Sequence, residues 1–330
     1  MLGYIIRRVA QAILITIGVT LVVFVLFHVL DLQGGGVARA VLGNRATPPA
    51  IAQFNHDNGL DQSWPQQYVN YLGKLTGISS LINGNGWQID LGYSYNRNQS
   101  VGSLLAEDLP KTLVLLGLAY ALAIIVAVPL GIYQAVRRNK IDDYVFTGIS
   151  FIFYSMPVFW LGIILIVVFA STLHWLPPEA PQGTNVSDLF AQFSALILPV
   201  LTLALITIAM FSRYMRSSVL ENMVQDYVRT ARAKGASGSR VLFLHVLRNA
   251  MIPILTLIGL SVGYIFSGAL VTEALYNYPG IGLLTWTSAI TKDYPVILGV
   301  IVVTGLATVL GSLMADIMYA VADPRVRYTR

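Results

Sequence analysis

The sequence predicts an all-α integral membrane protein with six transmembrane helices and a small external domain between the first and second of them. Of its 330 residues, 55% are hydrophobic and only 11% are charged. A soluble domain carries about 25% charged residues, so a soluble fold is excluded. Apolar runs of about 20 residues, the length that crosses a bilayer core, recur between polar stretches. The absence of cysteine excludes disulfides and thiolate metal sites.

The apolar runs divide the chain into four parts. These are an N-terminus with the first helix, an external segment, a five-helix core containing a polar central loop, and a tail: residues 1–30, 31–108, 109–320 (central loop 213–250) and 321–330. The six expected transmembrane helices cover about Val9 to Leu30, Leu109 to Val136, Tyr144 to Thr172, Ala195 to Phe211, Met251 to Val271 and Val296 to Ala320. The first run exceeds the apolar region of a signal peptide, about 7–15 residues, so it predicts an uncleaved anchor.

The external segment is polar and rich in glycine. Within it, Asn55 to Leu72 is expected to form a short helix pair, with Trp64-Pro65 at the turn. The segment is too small and too poor in core residues to be an enzyme.

Basic residues predict the orientation in the membrane. Most of the 21 Lys and Arg residues fall at the N-terminus, after the second helix, in the central loop and in the tail. Cytoplasmic loops carry the excess of positive charge, so both termini are expected in the cytoplasm. The net charge of +5 is explained by this topology and argues little for nucleic acid as a partner.

The local structure of the central loop can be predicted from its residues. Good helix formers run from Tyr227 to Lys234, with basic residues in the last turn, and Gly235 stands where a left-handed residue ends a helix. Ser237 or Ser239 is expected to cap a second, interfacial helix. That helix would present an apolar stripe and lead to a transmembrane helix opening at Pro253; the stripe consists of Val241, Leu244 and Leu247.

Ionisable residues are nearly absent from the expected transmembrane helices. His28, Glu273 and Asp316 lie near helix ends and are interpreted as interface or packing residues. Ion-coupled transport needs a group that changes charge near the midplane, so this distribution weakens, without excluding, a self-contained secondary transporter or channel. A membrane scaffold or receptor also stays open, although small residues and prolines along the helices favour transport. A nucleotide-binding phosphate loop is not predicted. Its pattern Gly-x4-Gly-Lys would need a glycine five residues before Gly73-Lys74, and that position is Tyr68.

Several blocks in order resemble the permease subunits of binding-protein-dependent ATP-binding-cassette importers, in particular the B-type subunit of dipeptide and oligopeptide systems. The blocks are Gly59-Leu-Asp61, Asp90-Leu-Gly-Tyr-Ser94, Met156-Pro-Val-Phe-Trp160, Asp226 to Gly235, His245-Val-Leu-Arg248-Asn249 with Pro253, Tyr278-Pro-Gly-Ile-Gly282 and Asp323-Pro-Arg325. Arg229-Thr230-Ala231 stands where the broader superfamily has Glu-Ala-Ala.

The resemblance implies a type I importer permease fold in the bacterial cytoplasmic membrane, without enzymatic activity of its own. It implies a second homologous permease, two ATPase domains that carry ATP and magnesium, and an external substrate-binding protein. No cofactor is expected on this chain, and membrane lipid is the remaining partner.

The resemblance also implies two groups of functional residues. The central loop would form a coupling helix that contacts an ATPase subunit through Tyr227, Ala231, Lys234, Gly235 and Arg240, with Gly235 as the elbow. The translocation path is expected to include Tyr154, Ser155, Thr202 and Tyr264. Peptides are the expected substrate.

Overall fold

The computed structural model of the protein is mostly helical. It describes residues 10–11, 13–22, 24–25, 38, 42, 46–57, 59–84, 86–183 and 185–322, with the backbone alone given for Val262 and residues 315–322. The predicted N-terminal basic pair, His28 and the basic tail lie outside the described residues. By its internal contacts the chain divides into two compact units, Met1–Leu109 with Leu284–Val309 and Pro110–Leu283 with Leu310–Arg330.

The external part of the first unit contains short helices and one small sheet. Its described elements are α1 (Ile13–Val22), α2 (Pro48–Asp57), α3 (Trp64–Thr76), α4 (Ile78–Ile82), β1 (Tyr93–Ser94) and β2 (Gln99–Ser100). The two strands pair antiparallel. Two helices are found here, but the predicted range of Asn55 to Leu72 is wrong: α2 ends at Asp57, near the start of that range, and Trp64-Pro65 opens α3 instead of forming the turn. Proline suits a first helical turn because the N–H that it lacks would have no intrahelical partner there.

Long helices follow the sheet. In order they are α5 (Val101–Val136), α6 (Ile141–Ser155), α7 (Val158–Leu165) continued by π-helical Ile166–Thr172, α8 (Val186–Ala191), α9 (Phe193–Met223), α10 (Asp226–Ala233), α11 (Gly238–Arg240) continued by π-helical Val241–Val246, α12 (Leu247–Ser267), α13 (Leu270–Leu275), α14 (Ile281–Ile290) and α15 (Tyr294–Ala322).

Among the described residues, three helices are long and apolar enough to cross a membrane, namely α5, α9 and α15 over Tyr294–Met314. Counting each of two bent pairs as one crossing, α6 with α7 and Gly238–Ala250 with Ile252–Ser267, raises the number to five. The first predicted crossing is described only as the shorter apolar helix α1. A mostly helical chain with three to five membrane-capable helices is therefore confirmed, and the number six stays a prediction.

The third predicted crossing, Tyr144 to Thr172, is not one straight helix. It breaks after Ser155, and α6 and α7 meet at an angle of 107°. Pro157 is the physical cause, because its ring excludes the helical conformation from the preceding residue and it has no N–H to continue the ladder. Met156 is accordingly extended, with φ −75° and ψ 133°.

The fourth predicted crossing, Ala195 to Phe211, is too short. Helix α9 continues to Met223 without a break, although Pro199 lies inside it. At 1.5 Å per residue its 31 residues extend about 46 Å, which exceeds the ~30 Å thickness of a bilayer core. The first part of the predicted polar loop is thus a continuation of a membrane helix.

Two apolar clusters hold the second unit together. The first joins α5, α7, α8, α9 and the segment around α13; its largest buried side chains include Leu115, Leu189, Leu198, Tyr276 and Tyr278. The second joins the ends of α5 and α9 to the central loop; its members are Ala135, Met215, Val219, Val228, Ala231, Val241, Val246, Ala250 and Ile254. The second cluster positions the candidate site.

Candidate functional site

Helix α10 ends as the sequence predicts. The N–H of Gly235 donates to the carbonyl of Arg232 at 2.9 Å, and the N–H of Ala236 reaches back to the carbonyl of Ala231 at 3.2 Å. This pair of bonds is the Schellman arrangement, which needs a left-handed residue, and Gly235 has φ +80°. The elbow predicted at Gly235 is therefore confirmed as a backbone conformation.

Two side chains anchor α10 to the membrane helices. Val228 and Ala231, three residues apart on one face, are buried in the second apolar cluster with Met215 and Val219 of α9. The opposite face is polar and exposed. In this cluster α10 packs mainly against the π-helical segment Val241–Val246, and the end of α9 completes the same apolar core.

A shallow depression of about 550 Å3 opens beside this helix. It is lined by Tyr227, Thr230, Ala231, Lys234, Gly235, Ala236, Arg240 and His245. All five residues predicted to contact an ATPase are in this list. We call this surface the docking depression.

The side chains around the docking depression differ in their exposure. Tyr227 is 37% exposed, and its hydroxyl donates to Asn222 at 2.7 Å, which fixes the ring beside α10. Lys234 and Arg240 are exposed and have no ion pair within the described part of the chain. Ala231 is 8% exposed, so it contributes more to the anchor than to the open surface. The rim is basic and suits an acidic partner surface.

The chain after the elbow departs from the predicted interfacial helix. Ser237 caps it as predicted, accepting the N–H of Arg240 at 3.4 Å. The helix then passes through π-helical Val241–Val246 into α12, and it bends by 43° between Ala250 and Ile252, close to the predicted opening at Pro253. The predicted stripe of 241, 244 and 247 does not face a single environment, since Val241 is buried and Leu244 is 58% exposed. Bonds from i to i+5 widen the turn, and the buried positions are 241, 246 and 250 instead.

An ion pair that the sequence reasoning missed joins α6 to α9 next to this cluster. The guanidinium of Arg216 donates to both carboxylate oxygens of Asp143, at 2.7 and 2.8 Å, and the N–H of Asn139 donates to the same carboxylate at 3.0 Å. The Asp143 side chain is 2% exposed. An arginine one turn beyond the expected end of an apolar helix was the available signal for this pair.

Glu273 in α13 was interpreted from the sequence as an interface or packing residue, but its partners were not predicted. It is fully buried and accepts hydrogen bonds from the N–H groups of Ala269, Gly282 and Leu283 and from the hydroxyl of Thr112, at 2.7 to 3.2 Å. The carboxylate thereby ties the residues before α13 and the start of α14 to α5. This arrangement fits a packing role.

Of the four residues predicted to line a translocation path, three are exposed and one is buried. Tyr154 and Ser155 are exposed at the end of α6, and Tyr264 on α12 is 69% exposed. Thr202 is fully buried, donates to the carbonyl of Leu198 at 2.8 Å and lies 2.9 Å from the hydroxyl of Tyr276. Its hydroxyl therefore faces packed protein in this structure.

Metal ligands are not grouped in the described ranges. No group of three or more His, Asp or Glu side chains there could hold a metal ion.

Comparison with known proteins gives matches over nearly the whole sequence. The family described as "Binding-protein-dependent transport system inner membrane component" matches residues 127–328, and "Binding-prot-dependent transport system membrane comp, N-term" matches residues 1–116. The chain is 38% identical over 330 residues to the "Oligopeptide transport system permease protein AppB" of Bacillus subtilis, covering 99% of this chain and 100% of the relative. It is 35% identical over 350 residues to the "Di/tripeptide transport system permease protein DppB" of Pseudomonas aeruginosa, and 33% identical over 357 residues to the "Dipeptide transport system permease protein DppB" of Escherichia coli, with 100% of each chain covered.

Proposed function

Because this chain belongs to the family of binding-protein-dependent transport system inner membrane components, we propose that it is the permease subunit of an ATP-driven importer of di- or oligopeptides. The observation that carries the proposal is the full-length similarity to relatives whose names specify peptide transport. Short local matches arise by chance, whereas similarity over an entire membrane protein extends to its helices, its central loop and its external segment.

We place the chain in the bacterial cytoplasmic membrane with six crossings and both termini in the cytoplasm. The five crossings available among the described residues, together with a first one that includes α1, would give this number. The basic central loop then faces the cytoplasm, as the positive-inside rule favours. The external segment, residues 31–108, faces the other side and receives an external substrate-binding protein.

The docking depression is proposed to receive an ATPase subunit. Three properties support this assignment: a short helix on a left-handed elbow, an apolar anchor to α9, and an exposed rim with Tyr227, Lys234 and Arg240. When the ATPase subunits close on ATP and magnesium, they would displace α10, and the Val228 and Ala231 contacts would move α9. The permease itself hydrolyses nothing in this scheme, and a second homologous permease would complete the path.

The translocation path is proposed to pass the exposed ends of Tyr154, Ser155 and Tyr264. The break between α6 and α7 supports this, because broken helices at membrane depth occur where they line a cavity or pack in protein. Thr202 would lie behind this surface and support it, since its buried hydroxyl is hydrogen-bonded to that of Tyr276.

The testing experiment is to tag the chain, purify it gently from native membranes, identify the co-purifying proteins by mass spectrometry and assay ATPase activity. Recovery of a second permease, ATPase subunits and a binding protein, with ATP-dependent peptide uptake after reconstitution, is the expected result. A lone chain that transports solute on an ion gradient would refute the proposal in favour of a secondary transporter. Reproducible recovery without any transport would favour a scaffold or receptor.

A further inference from the structure

Arg213 is a charged side chain in a membrane helix whose partners are aromatic rings. It lies in α9, twenty residues after Phe193, which is about 30 Å along the helix axis. Its guanidinium carbon stands 4.3 Å from the ring centroid of Tyr154 and 5.7 Å from that of Phe151, both on α6. The residue therefore lies near the end of the hydrocarbon layer that is proposed to face the cytoplasm.

Arg213 makes no hydrogen bond or ion pair with any other described residue. The contrast with Arg216, one turn further along the same helix, is informative. Arg216 is satisfied by both oxygens of Asp143, and that carboxylate also accepts the N–H of Asn139, so it is fully occupied. Arg213 is thus left with its positive charge uncompensated on the same side of α9.

The contacts with the two rings occupy none of the hydrogen-bond donors of Arg213 among the described residues. A guanidinium carries five N–H donors, and these are available to a further ligand. Tyr154 and Phe151 are about half exposed, so the group faces open space rather than packed protein. Arginines in membrane helices face a bundle interior or a water-filled cavity, or extend to the headgroup region when they lie near a helix end. The half-exposed face formed by Phe151, Tyr154 and Arg213 is thus open either to a lipid headgroup or to a solute, and Tyr154 already belongs to the proposed translocation path.

Building on the proposed function, we propose that Arg213, held by Tyr154 and Phe151, binds the C-terminal carboxylate of a peptide as it passes through the translocation path. The planar fork of an arginine matches a carboxylate with two parallel hydrogen bonds. A peptide with an unmodified C-terminus always carries this group, whatever its side chains, so the contact serves substrates of varied sequence. The same donors would also bind the oxygens of a lipid phosphate, and the test must separate these two anions.

The test replaces Phe151 by the photoreactive p-benzoylphenylalanine in the whole complex, reconstituted with its partners, and irradiates during ATP-driven uptake of a peptide with a free C-terminus. Mass spectrometry of the adduct distinguishes peptide from phospholipid. We expect a peptide adduct that falls at least tenfold with Arg213→Gln and is partly kept with Arg213→Lys. The control Arg138→Gln removes an exposed charge outside the site and should leave the adduct unchanged.

Several results overturn the inference. A phospholipid adduct alone, or no adduct in a complex that transports peptide, would mean that the peptide does not pass this face. Equal peptide adducts with Arg213→Gln and Arg138→Gln would mean that the guanidinium does not bind it. If Arg213→Gln assembles poorly, the parent Phe151 variant and Arg213→Lys still decide between peptide and lipid. Absence of ATP-driven uptake in the unmodified complex would instead refute the proposed function.

Discussion

Asp143→Asn tests whether the ion pair between α6 and α9 holds the base of the coupling region together. The substitution keeps the shape of the side chain and removes the charge that both guanidinium bonds of Arg216 require. Breaking a buried pair by removing one partner costs about 3–5 kcal/mol. Because the Arg216 side chain is 27% exposed, water compensates part of its charge, and we expect a loss of about 2–3 kcal/mol.

The assay is thermal unfolding of the purified complex, followed by uptake per ATP hydrolysed. A loss of this size corresponds to a fall in Tm of at least about 4 °C by the scaling for domains of 150–250 residues. Uptake per ATP should also fall, because α6 would no longer follow α9 as a rigid partner. The matched control is Asp142→Asn at the adjacent, partly exposed carboxylate, which lies 3.6 Å from Arg137 and should cost under about 1 kcal/mol.

A double-mutant cycle with Arg216→Gln checks the mechanism. Once the aspartate is neutral, removing the arginine charge should cost little more, so the double variant should be about as stable as the worse single variant. If the two single losses add, or if Asp143→Asn and Asp142→Asn have the same Tm, the carboxylate and guanidinium act independently and the reasoning is refuted.

Three further substitutions test other parts of the structure. Gly235→Leu should assemble but lose uptake while ATPase activity persists, because a side chain disfavours the left-handed elbow by roughly 1–2 kcal/mol; Gly238→Leu, at a glycine without positive φ and with equally open space, should retain uptake. Gly131→Ala places its Cβ 2.5 Å from a backbone oxygen of α9, so the free energy of unfolding should fall by about 1–3 kcal/mol. Its control is Gly117→Ala in the same helix, where the new Cβ meets nothing within 4 Å and stability should not change. Thermal unfolding of the two variants compares them. Glu273→Gln places an amide NH2 opposite buried N–H donors, which should lower the free energy of unfolding by about 1–3 kcal/mol. The measurement is the midpoint of thermal unfolding, and an unchanged midpoint would contradict the hydrogen-bond assignment.

Local chemistry was enough to predict the elbow at Gly235 and the cap at Ser237. Each depends on a few neighbouring residues whose preferences point the same way, and the backbone adopts those conformations. The residues predicted to contact an ATPase are close in sequence, and they line one depression.

Features that depend on distant parts of the chain were not predictable. Asp143 and Arg216 are 73 positions apart, and although an arginine just beyond an apolar helix suggests a charged partner, nothing in the sequence identifies Asp143 as that partner. The helix breaks at Pro157, whereas Pro129 and Pro199 lie inside α5 and α9, so the presence of a proline alone does not determine whether a helix ends. The π-helical turns changed the buried stripe after Val241, and a widened turn has no sequence signature comparable to that of a glycine elbow.

The unbroken length of α9 has a mechanical consequence. If α9 crosses the bilayer as proposed, a helix about 46 Å long in a layer about 30 Å thick leaves one end beyond the membrane surface. A small tilt inside the bilayer would then become a larger sideways movement at Met223, which is separated from the start of α10 by two residues. Under the proposed function, a displacement of α10 by an ATPase subunit would in turn become a smaller displacement of α9 at membrane depth, in a ratio set by the position of the pivot.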